Sequence, residues 1–236
     1  MIKKFFANHC LVCRICKAIF LIIIVLFALM TALAFIARLP DIHPLSTMMW
    51  RDKIMGIPYK RDWTSIDKMP HSLVRSVMMS EDGQFCRHHG VEWGDLLSAA
   101  KRDISGKSKR PRGASTITMQ TVKNLYLWQG HSYLRKAIEI PSALWLDLIM
   151  PKRRIMEIYL NIAQWGDHIY GVEAASRAYF GIPAQDLTPA QSALLAITLP
   201  SPLKRNPNHI ESELSNLAAI IERRAAAAKP YVQCVR

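Results

Sequence analysis

The sequence predicts a mainly α-helical domain carried behind one N-terminal transmembrane helix. Three observations lead there: a long uncharged apolar run near the N-terminus, a succession of helical apolar spacings after it, and no series of alternating strands of the kind a Rossmann or barrel fold needs. The chain has 236 residues. With the anchor set aside, roughly 190 remain, enough to bury the core of one domain of ordinary size.

The apolar run, AIFLIIIVLFALMTALAFIA, occupies 20 positions from Ala18 to Ala37 without a charge. As a helix that length crosses roughly 30 Å of hydrocarbon. Lys3, Lys4, Arg14 and Lys17 precede it without an acid, whereas Arg38 and Asp41 follow it together. The bias puts the N-terminus in the cytoplasm and the bulk of the chain on the far side. Ala32-Leu33-Ala34 has the small-x-small form of a cleavage site, but the run is longer than a signal core and continues past it, which favours an uncleaved anchor. The expected organisation is a cytoplasmic segment over 1–17, the transmembrane helix over 18–37, a juxtamembrane connection over 38–61 and an exported domain over 62–236.

The formal charge of +13 calls for an anionic partner. An exported, anchored domain without a nucleic-acid recognition motif points away from nucleic acid and toward lipid headgroups or phosphorylated substrates. Cys10, Cys13 and Cys16 have no fourth ligand nearby in sequence and are read as incidental rather than as a metal site. Cys86 and Cys234 can pair in an oxidising compartment, although nothing in the sequence shows them to be close.

Within the domain, Leu73, Val74, Val77 and Met78 define one helix face, and the helix ends near Glu81 and Asp82 before Gly83. A second helix is expected from Trp93 to about Ile104, followed by a mobile basic loop over Lys101 to Arg112. The next begins at Ser115 or Thr116, either of which suits an N-cap. Two more run through Leu144 and Leu148 and then Ile155, Ile158 and Ile162, separated at Pro151. LTPAQSALLAITLP and the alanine-rich HIESELSNLAAIIERRAAAA supply the last two.

The stretch EDGQFCRHHG, residues 81–90, carries the leading candidates for chemistry. Glu81 and Asp82 are adjacent carboxylates, and a carboxylate whose pKa is raised by burial or a like-charged neighbour takes a proton from a sugar hydroxyl. Glu139 has Arg135 four residues before it and Lys136 three before it, both on its helix face. Together with Lys123 this set can orient a diphosphate or, through Glu139, a metal ion. The parts suit glycosyl transfer, which needs a base for the acceptor and positive charge for a diphosphate leaving group. Hydrolysis by paired carboxylates uses similar residues, so the chemistry alone leaves both open. Zinc-type histidine spacing and a G-x-S-x-G nucleophile setting are both missing.

Five segments, EDGQFCRHHG, GASTITMQTVKN, RKAIEIPSALWLDLIMPKRRIMEIYLN, GVEAASRAYFG and LTPAQSALLAITLPSP, occur in the order found in the family 51 peptidoglycan glycosyltransferases, which polymerise lipid II. The chain resembles that family over roughly residues 62–205. Its length, single anchor and lack of a following penicillin-binding domain make it similar to the monofunctional members of Gram-negative bacteria. The resemblance implies a lysozyme-like, mainly helical fold with its cleft at the periplasmic face of the inner membrane. It implies Glu81 as the catalytic base, with Asp82, Phe85 and His88 around it. Thr116, Gln120, Lys123 and Asn124 would line the donor side. Arg135, Lys136 and Glu139 would hold the donor diphosphate, perhaps an Mg²⁺ or Mn²⁺ ion with it.

The partners implied are lipid II, lipid-linked glycan, the bilayer and, among proteins, cell-wall synthases or division proteins. Departures from the family pattern are Met119 for a glutamine, Asp147 for a glutamate, Pro141 shortly after Glu139, and Ile182 for a lysine. Two rival readings are a membrane-anchored lytic transglycosylase and an inactive cell-wall scaffold.

Overall fold

A computed structural model describes residues 2–104, 115–130, 132–208 and 212–235 of the chain. The basic loop expected over 101–112 lies, from residue 105 on, outside the described residues, and so does the side chain of Cys10. The chain divides into two compact units, Met1–Ile42 and His43–Arg236.

The first unit is one helix, α1, Ile2–Ala37, whose apolar stretch long enough to cross a membrane runs Cys13–Ala37. It starts well before Ala18 because no proline or glycine interrupts the sequence leading into the apolar run. Thr31 Oγ1 donates to the carbonyl of Phe27 at 2.8 Å, so this hydroxyl is satisfied within the helix, as hydrocarbon surroundings demand. The helix ends ahead of Pro40, which cannot continue it.

The second unit opens with α2, Thr47–Ile54, a helix inside the stretch read from sequence as a connection. Periodicity does not announce it because it buries only Met49 and Asp52, and one of these is charged. Asp52 accepts from Tyr170 Oη and from His168 Nδ1, both at 2.7 Å. That carboxylate ties α2 to the small antiparallel hairpin β1, Gln164–Gly166, and β2, Ile169–Tyr170. The hairpin is too short for its alternation to be seen in the sequence.

Eight further helices follow: α3, His71–Glu81; α4, Trp93–Ile104; α5, Ile117–Tyr126; α6, Tyr133–Ile149; α7, Lys152–Ile162; α8, Val172–Phe180; α9, Pro189–Thr198; and α10, Ser212–Ala227. Six of them form two groups. In the first, α3 packs on α9 and α10. Small residues allow the close approach, with Ser80 Oγ donating to the carbonyl of Ala196 at 3.2 Å. In the second, α5 packs on α6 and α7. Helix α7 is buried on all sides from Arg154 to Ile162, as expected of a central core helix rather than an amphipathic surface one.

Local chemistry sets the boundaries. Thr116 caps α5 by accepting from the Met119 N–H at 3.1 Å. Thr188 and Gln191 form a capping box ahead of α9, with proline in its first turn. Pro151 stands between α6 and α7. Pro141 lies inside α6 without ending it: the helix continues to Ile149, and Arg135, Lys136 and Glu139 all precede the proline. The other departures from the family pattern are also absorbed. Met119 is fully buried, Asp147 pairs with Lys152 at 2.6 Å, and at Ile182 it is the backbone carbonyl that accepts from Ser176 Oγ at 2.8 Å.

Cys86 and Cys234 are joined in a disulfide that links the segment after α3 to the C-terminal 3-10 turn across 148 residues. Such a cross-link restricts the unfolded chain and belongs to an oxidising compartment. Cys234→Ser in the full-length protein should lower the unfolding free energy by about 2–5 kcal/mol, read from denaturant melts in detergent. Reductant should do the same to the parent and nothing further to the variant; an unmoved parent would contradict the bond.

Candidate active site

Helix α3 ends at Glu81 because Asp82 leaves the helical conformation, at φ −161° and ψ 76°. The two adjacent carboxylates therefore point to different tasks. Asp82 is buried and turns toward the start of α5, where its Oδ2 accepts the backbone N–H of Ile117 at 2.9 Å. The Nε2 of His88 lies 2.9 Å from Asp82 Oδ1 and 3.0 Å from Oδ2. An anion at a helix N-terminus satisfies an otherwise orphaned donor and complements the macrodipole. Phe85 is fully buried, with the ring of His88 edge-on to it at 6.3 Å and the Lys152 ammonium 4.4 Å from its centroid.

Thr116 Oγ1 also donates to the carbonyl of Gly90 at 2.6 Å. Gly90 has φ +83°, and a Cβ there would meet the Ala143 carbonyl oxygen at 2.5 Å. Only glycine lets the loop after Glu81 lie this close to α6.

Glu81 faces α5. Its Oε2 accepts from Gln120 Nε2 at 2.7 Å, and the Oε1 of Gln120 accepts in turn from Tyr159 Oη at 3.2 Å. The second oxygen, Oε1, is enclosed and has no hydrogen-bond partner among the described residues. Burial raises the pKa of Glu81 above the ordinary carboxylate value, against the hydrogen bond from Gln120 and the nearby charges of Lys123 and Arg205, which lower it; Asp82 adds to the rise. Of the two causes expected from sequence, burial and a like-charged neighbour, burial is the larger.

Gln120 and Lys123 are one turn apart on α5. Burial draws the Lys123 pKa below the usual lysine value, the Glu139 and Glu81 carboxylates oppose this, and the Arg135 and Lys136 charges add to it. Glu139 lies at the centre of that group with its side chain 1% exposed. Its Oε2 is bound by Arg135 Nη1, and its Oε1 accepts from Lys136 Nζ at 3.0 Å. Lys136 Nζ donates also to Ser115 Oγ at 2.8 Å. Asn124 stands apart, with its Oδ1 accepting from Gln129 Nε2 at 3.5 Å.

Of the residues expected from sequence, Glu81, Gln120, Lys123, Arg135, Lys136 and Glu139 thus form one charged cluster. Asp82, Phe85, His88 and Thr116 form the frame beneath it. Sequence reasoning passed over Tyr159, Arg205 and Lys152. The first lay among apolar core positions, and the others looked like ordinary surface cations.

A family model described as Transglycosylase matches residues 51–228. A biosynthetic peptidoglycan transglycosylase of Rhizobium johnstonii is 47% identical over 222 residues, covering 94% of this chain and 90% of the relative. Proteins of the same name from Brucella suis and Mesorhizobium japonicum are 49% and 50% identical over 215 and 212 residues. The first covers 91% of this chain and 95% of the relative, the second 89% of each. The chain belongs to the transglycosylase family. It is a peptidoglycan glycosyltransferase of mainly helical, lysozyme-like fold, with a single pass through the inner membrane by α1, a periplasmic catalytic domain and a lipid-linked glycan substrate.

The residues do not fit a metal held by the protein. Both oxygens of Glu139 are occupied by cations, and no group of three or more His, Cys, Asp or Glu side chains suited to an ion occurs among the described residues. A hard divalent cation wants several oxygen ligands, which this cationic surround opposes. Mn²⁺ titrated into the substrate-free protein, followed by the electron paramagnetic resonance of the free ion, should reveal no site tighter than about millimolar. A micromolar site lost in Glu139→Gln would restore Glu139 as a ligand.

Proposed function

We propose that Glu81 is the general base of lipid II polymerisation and that Lys123, Arg135 and Lys136 receive the diphosphate leaving group. Oε1 of Glu81 takes the proton from the 4-hydroxyl of the acceptor GlcNAc. The freed oxygen attacks the anomeric carbon of the growing lipid-linked chain from the face opposite its α-linked diphosphate. The new β-1,4 bond forms as the bond to the diphosphate oxygen breaks, and the electron pair leaves with undecaprenyl diphosphate.

One observation carries this reading: Glu81 has one oxygen held by Gln120 and one enclosed oxygen left without a partner. A buried acceptor in that state is costly unless something else satisfies it. An acceptor hydroxyl does so, and the raised pKa strengthens the carboxylate as a base. The cations about Glu139 offer the positive charge that a departing diphosphate needs.

Full-length protein in detergent, given labelled lipid II, should release undecaprenyl diphosphate and form polymer that a muramidase returns to disaccharide units. Glu81→Gln should lose about 100-fold or more of that rate while keeping lipid II binding. The pH profile of kcat/KM should be bell-shaped. Its acid limb should lie above the ordinary carboxylate range, because activity needs ionised Glu81, whose pKa is raised. Its alkaline limb should lie below the ordinary lysine range, because Lys123 must stay charged and its pKa is lowered. Retained polymerisation in Glu81→Gln would remove Glu81 from this role.

A further inference from the structure

We infer that Tyr159 is a positioning residue for the reaction: through the amide of Gln120 it fixes which oxygen of Glu81 is held and which is left free to take the proton. The inference rests on Glu81 being the base. It assigns to a core tyrosine a task that packing alone does not require.

The argument begins with donors and acceptors. An ionised carboxylate only accepts, so the Gln120 group 2.7 Å from Glu81 Oε2 must be the NH₂. The amide oxygen then faces the other way, toward Tyr159, whose hydroxyl lies 3.2 Å from it and has to donate. Tyr159 is 1% exposed, and burial, with the Glu81 and Asp82 charges adding to it, raises its pKa well above the usual phenol value. Its proton therefore stays in place throughout the working range. Helix α7, which carries it, is buried on every side, so the hydroxyl is presented from a rigid support.

Without that donor the amide oxygen of half-buried Gln120 loses its hydrogen bond. The amide is then free to turn, and the turned form sets oxygen against the Glu81 carboxylate, which favours protonated Glu81. The charged groups around Glu81 do not replace this control. Lys123 on α5 and Arg205 beyond α9 favour its ionised form and Asp82 disfavours it, whereas the Gln120 amide is hydrogen-bonded to Glu81 and Tyr159. Arg205 is itself held by the carbonyl of Ile197 at 2.6 Å.

The test is the pH dependence of initial polymerisation rates for the full-length protein. Tyr159→Phe keeps the ring and should lower kcat about 3–10-fold with KM unchanged, with the acid limb displaced to higher pH. Replacing Tyr159 by 3-fluorotyrosine makes the hydroxyl a stronger donor and should displace the same limb to lower pH. In a Gln120→Leu background the Phe substitution should move the limb no further, since the effect travels through that amide.

An acid limb unmoved in both Tyr159 variants, or moved equally in the Gln120→Leu background, would overturn the inference. If Tyr159→Phe fails to fold, as judged by thermal unfolding, the fluorotyrosine protein alone decides. The base assignment is judged separately: an active Glu81→Gln removes it, whereas an inactive Glu81→Gln beside an unmoved Tyr159 profile removes only the role of Tyr159.

Discussion

The site depends on the carboxylate of Asp82. It terminates α3 immediately after Glu81, holds the His88 ring and accepts the first N–H of α5, 35 residues further along the chain. One side chain thereby joins the end of the helix that carries Glu81 to the start of the helix that carries Gln120 and Lys123. The position of Glu81 relative to α5 follows from this junction, because Gln120 lies one turn and Lys123 two turns beyond Ile117. Thr116 bonding to Gly90 and the Cys86 to Cys234 bridge restrain the same loop from two other sides. A base needs placement within about half an ångström to act, and a loop alone does not supply that.

Burial then acts on the two ends of the site in opposite chemical directions. It makes Glu81 a stronger base than a solvated carboxylate and makes Lys123 a weaker hold on its proton than a solvated ammonium. Lys123 partly opposes the shift of Glu81, and Glu139, with Glu81 after it, partly opposes the shift of Lys123.

Most of the fold was legible in the sequence because its helices carry local signals: apolar faces, prolines at starts and threonine caps. Helix α2 and the β1–β2 hairpin were not, since what organises them is the buried Asp52, which meets Tyr170 and His168 more than a hundred residues away. At the site, the carboxylates and cations were legible as chemical types at motif spacing. Their division of labour was not. Nothing in the string Glu-Asp says that one side chain faces α5 as a reactive group while its neighbour caps that helix from below. Tyr159 was hidden for a related reason, because in sequence it is one more large residue on an apolar helix, and only its hydroxyl contact distinguishes it.

The arrangement also bears on the choice between glycosyl transfer and glycan cleavage by paired carboxylates. Hydrolysis of that kind needs, besides the acid, a second carboxylate with an oxygen open to the sugar or to a water. Glu139 is the second acidic group of the site, and both of its oxygens are bound by Arg135 and Lys136. So held, it has neither oxygen open to the sugar or to a water. Counting Lys123 with Arg135 and Lys136 against Glu139, three positive charges and one negative leave a net of two positive. A lipid diphosphate linked to sugar carries two negative charges and gains a third as the glycosidic bond breaks. Positive charge of this size would favour the departing product over the donor, so in the proposed reaction its stabilisation would grow along the reaction coordinate. No acid catalyst is required when the leaving group is a diphosphate, and one carboxylate base opposed by fixed cations is the simplest site that performs the transfer.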